Sequence, residues 1–129
     1  MNAKFYSDDV PRLARENDNF RRVLFTTDRS QLVLMSVAVG GDIGEEVHED
    51  VDQVLVFVEG NGEAILDAAH VPVEAGSVVV VPAGTRHNFV ANGGTGLKLY
   101  TVYTPPEHAP GTVHKTKAEA DAAELEHHH

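Results

Sequence analysis

Residues 40–60 read GGDIGEEVHEDVDQVLVFVEG, and the order of glycine, acid, histidine, amide and glycine within them decides the fold. Gly40 is followed after five residues by Glu46, Val47 and His48; four intervening residues lead to Gln53, and six more to Gly60. Side chains two apart on a strand point the same way, so Glu46 and His48 can aim at one spot. Gln53 is an odd number of steps from His48 and would face away on a straight strand. The polar pair Glu49-Asp50 offers a corner that resets the phase, which lets a third donor join the first two.

A second stretch, residues 76–90, reads GSVVVVPAGTRHNFV. Pro82 and Gly84 set a turn after the apolar run Val78 to Val81, and the chain re-enters a strand at His87. A lone histidine in that position is most often a structural residue; its spacing from the first stretch argues for a ligand instead.

Working outward, the hydrophobic period is two rather than 3.6. Residues 20–27, 31–39, 51–58, 63–67, 77–81, 87–91 and 97–103 read as strands rich in Val, Leu, Phe and Tyr. Turn signals at 28–30, 40–41, 60–62, 68–69 and 92–94 separate them. Many short strands with Gly-rich turns predict an all-β sandwich or barrel. Only the tail reads as helical, with Thr116 and Glu119 as a capping box ahead of residues 118–124.

On these residues the chain resembles the cupin superfamily, whose motifs are G(x)5HxH(x)3-4E(x)6G and G(x)5PxG(x)2H(x)3N. Gly40, His48 and Gly60 meet the first, and Gly76, Pro82, Gly84 and His87 the second. Glu46 stands where the family usually has a histidine and Gln53 where it has glutamate; the closing asparagine arrives one position late, as Asn92. The resemblance covers about residues 31–104 and implies a double-stranded β-helix (jelly roll) with a short C-terminal helix. It also implies a divalent metal ion, Fe, Mn, Ni or Zn, held by Glu46, His48, Gln53 and His87. An amide oxygen is a weaker ligand than a carboxylate, but Glu46 restores the negative charge that Gln53 removes. Glu46 is also the candidate general base.

Parity places Phe57 and Phe89 on the ligand face, and Tyr100 and Tyr103 are read as core or as walls of the pocket. Arg86 points away from His87. His70 reads as an exposed strand end. His108 and His114 lie in a Pro- and Gly-bearing segment expected to clasp the barrel or a partner subunit, with His114 a candidate for closing the pocket.

The chain has 129 residues, which predicts one domain over residues 1–124. Residues 125–129 resemble an expression-tag remnant. Twenty Asp and Glu stand against ten Lys and Arg without a basic patch, which argues against a nucleic-acid partner. There is no cysteine for a disulfide or a thiol nucleophile. No apolar run approaches membrane-spanning length and no signal peptide is recognised, so a cytoplasmic location is expected. Residues 51–58 and 78–81 are apolar on both faces and need a cover, either the first twenty residues in cis or a second subunit; the resemblance favours a homodimer.

No Ser-His-Asp triad, P-loop or dinucleotide fingerprint is present. Two functions remain open. One is a metal-dependent enzyme, dioxygenase- or isomerase-like, acting on a small oxygen-bearing molecule; the other is a non-enzymatic cupin binding a sugar or organic acid, with or without metal.

Overall fold

Alternating apolar residues fold into two antiparallel sheets in a computed structural model, which describes residues 5–127. Ten strands and two helices follow in chain order: α1 (Val10–Glu16), β1 (Arg21–Thr26), β2 (Gln31–Val37), β3 (Glu46–Val47), β4 (Asp52–Glu59), β5 (Asn61–Leu66), β6 (Ala69–Glu74), β7 (Val78–Val81), β8 (Arg86–Val90), β9 (Leu97–Thr104), β10 (Val113–His114) and α2 (Lys117–His127). Six strands form one sheet in the order β10-β1-β2-β9-β4-β7, and four form the other in the order β3-β8-β5-β6. The facing sheets of this jelly roll enclose a core that includes Val33, Met35, Leu55, Phe57, Ala64, Val79, Phe89 and Leu99.

The period-two pattern works as expected. Along β4 the inward positions are Gln53, Leu55 and Phe57, and along β9 they are Leu97, Leu99, Thr101 and Tyr103. The corner at 49–50 precedes β4 and turns Gln53 inward, where it is buried. Gly60, at the end of the first motif, has φ +98° between β4 and β5, and a Cβ there would lie 1.9 Å from the Gly96 carbonyl oxygen. The position therefore requires glycine both for its backbone angle and for the close approach of β9's entry.

Several elements differ from the reading of the sequence. The tail is not the only helix: α1 starts at an Asp9 cap, whose side chain accepts from the Arg12 amide, with Pro11 in the first turn. It packs on the outer side of β2, β9 and β4, burying Leu34 and its own Ala14 outside the main core. Lys98 on β9 secures its end by reaching the Asn17 carbonyl and, at 2.9 Å, Asp18. The expected cover in cis is thus supplied for that part of the sheet.

Residues 69–74 form β6, the partner of β5, with the turn at 67–68; Pro72 is tolerated because β6 is an edge strand. The short β3 and β10 carry too little pattern to be read alone. In α2 the Glu119 amide does bond the Thr116 hydroxyl at 3.1 Å, but the returning Glu119 carboxylate takes the amide of Lys115 rather than that of Thr116. The segment read as a tag begins within α2; residues 128 and 129 lie outside the described residues.

Candidate metal and ligand site

Pairing of β3 with β8 sets Glu46 directly opposite His87, so their side chains share a face. His48 follows β3, and its ring centroid stands 5.2 Å from that of His87. The two histidines that the sequence separates by 39 positions are neighbours. Gln53 enters the same interior from β4, opposite Tyr103 on β9 and Val81 on β7.

Each side chain is held by its own partner. His87 Nδ1 lies 2.8 Å from the Thr85 carbonyl oxygen. A carbonyl only accepts, so the proton resides on Nδ1 and the Nε2 lone pair is left for a ligand. Burial lowers the His87 pKa, against the opposing pull of that hydrogen bond, which favours the neutral ring. Gln53 Nε2 donates to Thr101 Oγ1 at 3.1 Å, and the Thr101 hydroxyl donates in turn to the Val54 carbonyl at 2.8 Å. This chain orients the amide and leaves Gln53 Oε1 buried without a hydrogen-bond partner.

His48 sits between two carboxylates, with Nε2 3.5 Å from Glu46 and Nδ1 3.5 Å from Glu107. Burial raises the Glu46 pKa, and the neighbouring His48 charge works in the other direction. Among the described residues no three His, Asp or Glu side chains converge as a ready cation cage. Glu46 faces the His48 ring instead. The donors that fit a divalent ion are two imidazoles, one with its second nitrogen capped by a carbonyl as metal-bound histidines usually are, and the unpartnered amide oxygen of Gln53. Glu46 is the nearby anion.

Above this pair lies a cavity of about 270 Å³, lined by β1, β3, the 107–114 segment and α2; its polar groups include Arg21, His108, His114 and the carboxylates of Glu46, Glu107 and Glu124. Gln31 fastens the segment across the mouth: its Oε1 accepts from the amides of Glu107 and His108 at 3.2 and 3.0 Å, and its Nε2 donates to the His108 carbonyl at 2.6 Å. The expected clasp is present, and His114 on β10 reaches the cavity wall beside Arg21, at 3.2 Å.

Phe57 and Phe89 stand on the inward face, rings 5.7 Å apart and Phe89 6.1 Å from His87, but as packed core beneath the histidines rather than as cavity wall. Tyr100 is a correction. It alternates with the buried Leu99 and Thr101 and so lies on the outer face of the sheet, opposite Leu34 and Val56. Tyr103, three residues on, is the inward tyrosine, 6.1 Å from the His48 ring. His70 is exposed and bonded to Glu63, and Arg86 points outward to Glu45, both as read from the sequence.

Sequence reasoning missed Arg21, Glu107 and His108 as site residues. Arg21 carried a usable signal, since a charged residue in step with Val23 on an apolar strand is an inward-facing charge. Asn88 was also passed over: its carbonyl oxygen accepts from the Gly44 amide and its nitrogen bonds Asp42, fixing the loop that delivers β3.

A family model described as a cupin domain matches residues 33–103. The chain belongs to the cupin family. The protein YrkC of Bacillus subtilis (strain 168) is 43% identical over 122 residues, covering 90% of this chain and 66% of its own length. Protein L612 of Acanthamoeba polyphaga mimivirus is 41% identical over 103 residues, covering 76% of this chain and 64% of its own. This cupin thus spans a little under two thirds of each of these curated relatives. The crystal structure of BH2720 from Bacillus halodurans superposes with a TM-score of 0.89 at 40% identity, covering 91% of this chain and 93% of that one. Among the described residues no helix is long and apolar enough to cross a membrane.

Proposed function

We propose that this cupin holds one divalent metal ion through His48, His87 and Gln53, with Glu46 as its anionic partner, and acts on a small oxygen-bearing organic molecule received at the barrel mouth. The observation that carries the reading is the buried, unpartnered oxygen of Gln53 in the same interior as the facing pair His48 and His87. A buried polar atom without a partner is costly in a metal-free fold, and an ion would satisfy it.

When bound, the ion supplies Lewis acidity to a ligand oxygen and fixes the ligand's orientation. The chain's own groups do the rest. His87 is kept neutral and correctly tautomeric by Thr85, and Gln53 is oriented by Thr101. Glu46, with its pKa raised by burial, takes a proton from the ligand and returns it, and the His48 nitrogen not given to the ion is held by a neighbouring carboxylate, Glu46 or Glu107. Oxygen insertion and enediol-type isomerisation both use this equipment.

The test is metal content per chain, measured by elemental analysis after the C-terminal histidines are removed and the protein is chelated and reloaded. About one equivalent in the parent and none in His48→Ala and His87→Ala is the expected result. Equal content in His48→Ala and the parent would transfer the reading to metal-free ligand binding at the same mouth.

The molecule is further read as a homodimer. Val78 and Val80 on the edge strand β7 are 58% and 61% exposed, on the outer face of the sheet beside Val56 and Val54 of β4. Exposed valines on an unpaired edge favour strand-to-strand association.

A further inference from the structure

A guanidinium with no direct ion pair among the described residues sits in the cavity wall. Arg21 is only 7% exposed, and its Nε is buried with no hydrogen-bond partner among the described residues. Its Nη1 spends its contact on His114, a neutral partner when that ring is unprotonated, and Tyr103 takes another hydrogen bond from the same side chain. Among the described residues no Asp or Glu forms an ion pair with it. Burying an unpaired charge is strongly unfavourable, so a fold that keeps one in a cavity wall has a use for it.

The surrounding groups favour an anion at that point. His108 and His114 line the cavity beside Arg21, and both pKa values are lowered chiefly by burial and then by the Arg21 charge, His108 to about 3. Burial thus favours the uncharged form of both rings, and Arg21 supplies the positive charge on this wall. His108 Nε2 is a second buried nitrogen without a partner among the described residues, and Thr112 adds a hydroxyl to the lining. Glu46, Glu107 and Glu124 line the same cavity; they accept hydrogen bonds but repel a second carboxylate, so the guanidinium is the place for one. The wall is therefore bipolar: a forked donor on one side, acceptors on the other.

We infer that the barrel mouth recognises a small hydroxy acid, its carboxylate on the Arg21 guanidinium and its hydroxyl toward Glu46 and Glu107. A planar fork suits a carboxylate, which it binds through two parallel hydrogen bonds, and the cavity admits a molecule of a few heavy atoms. This inference rests on the proposed reading that the mouth receives an oxygen-bearing ligand; it adds which class of ligand, and by which residue.

Calorimetric titration of the tag-free, chelated protein with lactate, malate and lactamide tests it without any metal. Lactate and malate are expected to bind at least tenfold more tightly than lactamide, which keeps the hydroxyl and the shape but lacks the charge. Arg21→Lys keeps the charge and loses the fork, and is expected to weaken lactate at least tenfold while its metal content stays at the parent's level. Equal affinity for lactate and lactamide, or no binding of either acid, overturns the inference, and this comparison needs no variant to fold. Acid binding by a protein that takes up no metal removes the metal and leaves the Arg21 subsite standing. Metal uptake without acid binding removes the subsite and leaves the metal.

Discussion

The amide at position 53 is specified by a neighbour's hydrogen. Because the Thr101 hydroxyl gives its hydrogen to the Val54 carbonyl, it can offer Gln53 only a lone pair, and an amide NH2 answers that need where a carboxylate would not. Gln53→Glu therefore sets acceptor against acceptor in the metal-free protein, and should lower its stability by roughly 1–3 kcal/mol in chemical denaturation. The same substitution adds a charged oxygen donor, so divalent metal should restore more stability to Gln53→Glu than to the parent. A variant as stable as the parent without metal would show that the Thr101 hydroxyl is free to turn. Thr101→Val tests the converse: Gln53 loses its orienting contact, and metal affinity in competition with a chelator should drop by about 10-fold or more.

At the scale of elements, the turn between β4 and β5 is the most sensitive to substitution. Gly60→Ala carries a positive φ and a Cβ in contact with the Gly96 carbonyl, and the angle alone costs roughly 1–3 kcal/mol. Thermal unfolding should show a large loss, whereas Gly76→Ala, also at positive φ but with open space around its Cβ, should lose less. How much of this was legible follows from the same elements. Strands β1, β2, β4, β5, β7, β8 and β9 were readable to within two residues because each is an apolar or alternating run bounded by turn residues. The two-residue β3 and β10 owe their existence to partners 41 and 91 positions away, as in Glu46 with His87 and Arg22 with Val113, and no local pattern announces them. α1 was legible in its Asp9 cap and Pro11 but too short to show helical periodicity. The spacing of the glycines, prolines and histidines located His48, Gln53 and His87 in one interior. It could not locate Arg21, which joins them only because β1, β10 and the clasp close over the mouth, nor tell Tyr100 from Tyr103, whose roles are separated by strand parity and by which face α1 covers.

The molecule as a whole carries its acid sensitivity in its buried histidines. The folded pKa of His108, about 3, lies below its ordinary value of 6.5, with burial the first cause and the charges of Arg21, His114 and His48 after it. Proton uptake therefore favours the unfolded chain: the contribution of His108 is whole above about pH 6.5 and is lost as pH falls toward about 3. Melting temperature measured from pH 7 to pH 4 should fall more steeply in the parent than in His108→Gln, by several degrees, since each kcal/mol moves the midpoint by about 2–8 °C in chains of this size range. Parallel slopes would mean that this ring takes up its proton without unfolding. Association belongs to the same scale: Val78→Lys with Val80→Lys should shift the scattering mass from two chains to one while leaving the circular dichroism unchanged, and an unchanged mass would remove β7 as the contact. The fastening of the clasp at Gln31 has its own consequence for the passage of ligands. One amide holds the Glu107 and His108 N–H groups and the His108 carbonyl without lining the cavity, so it governs how often the mouth opens and not how well the occupant is held. Affinity and residence time are thereby set by different residues, and weakening Gln31 should quicken arrival and departure together, leaving their ratio nearly where it was.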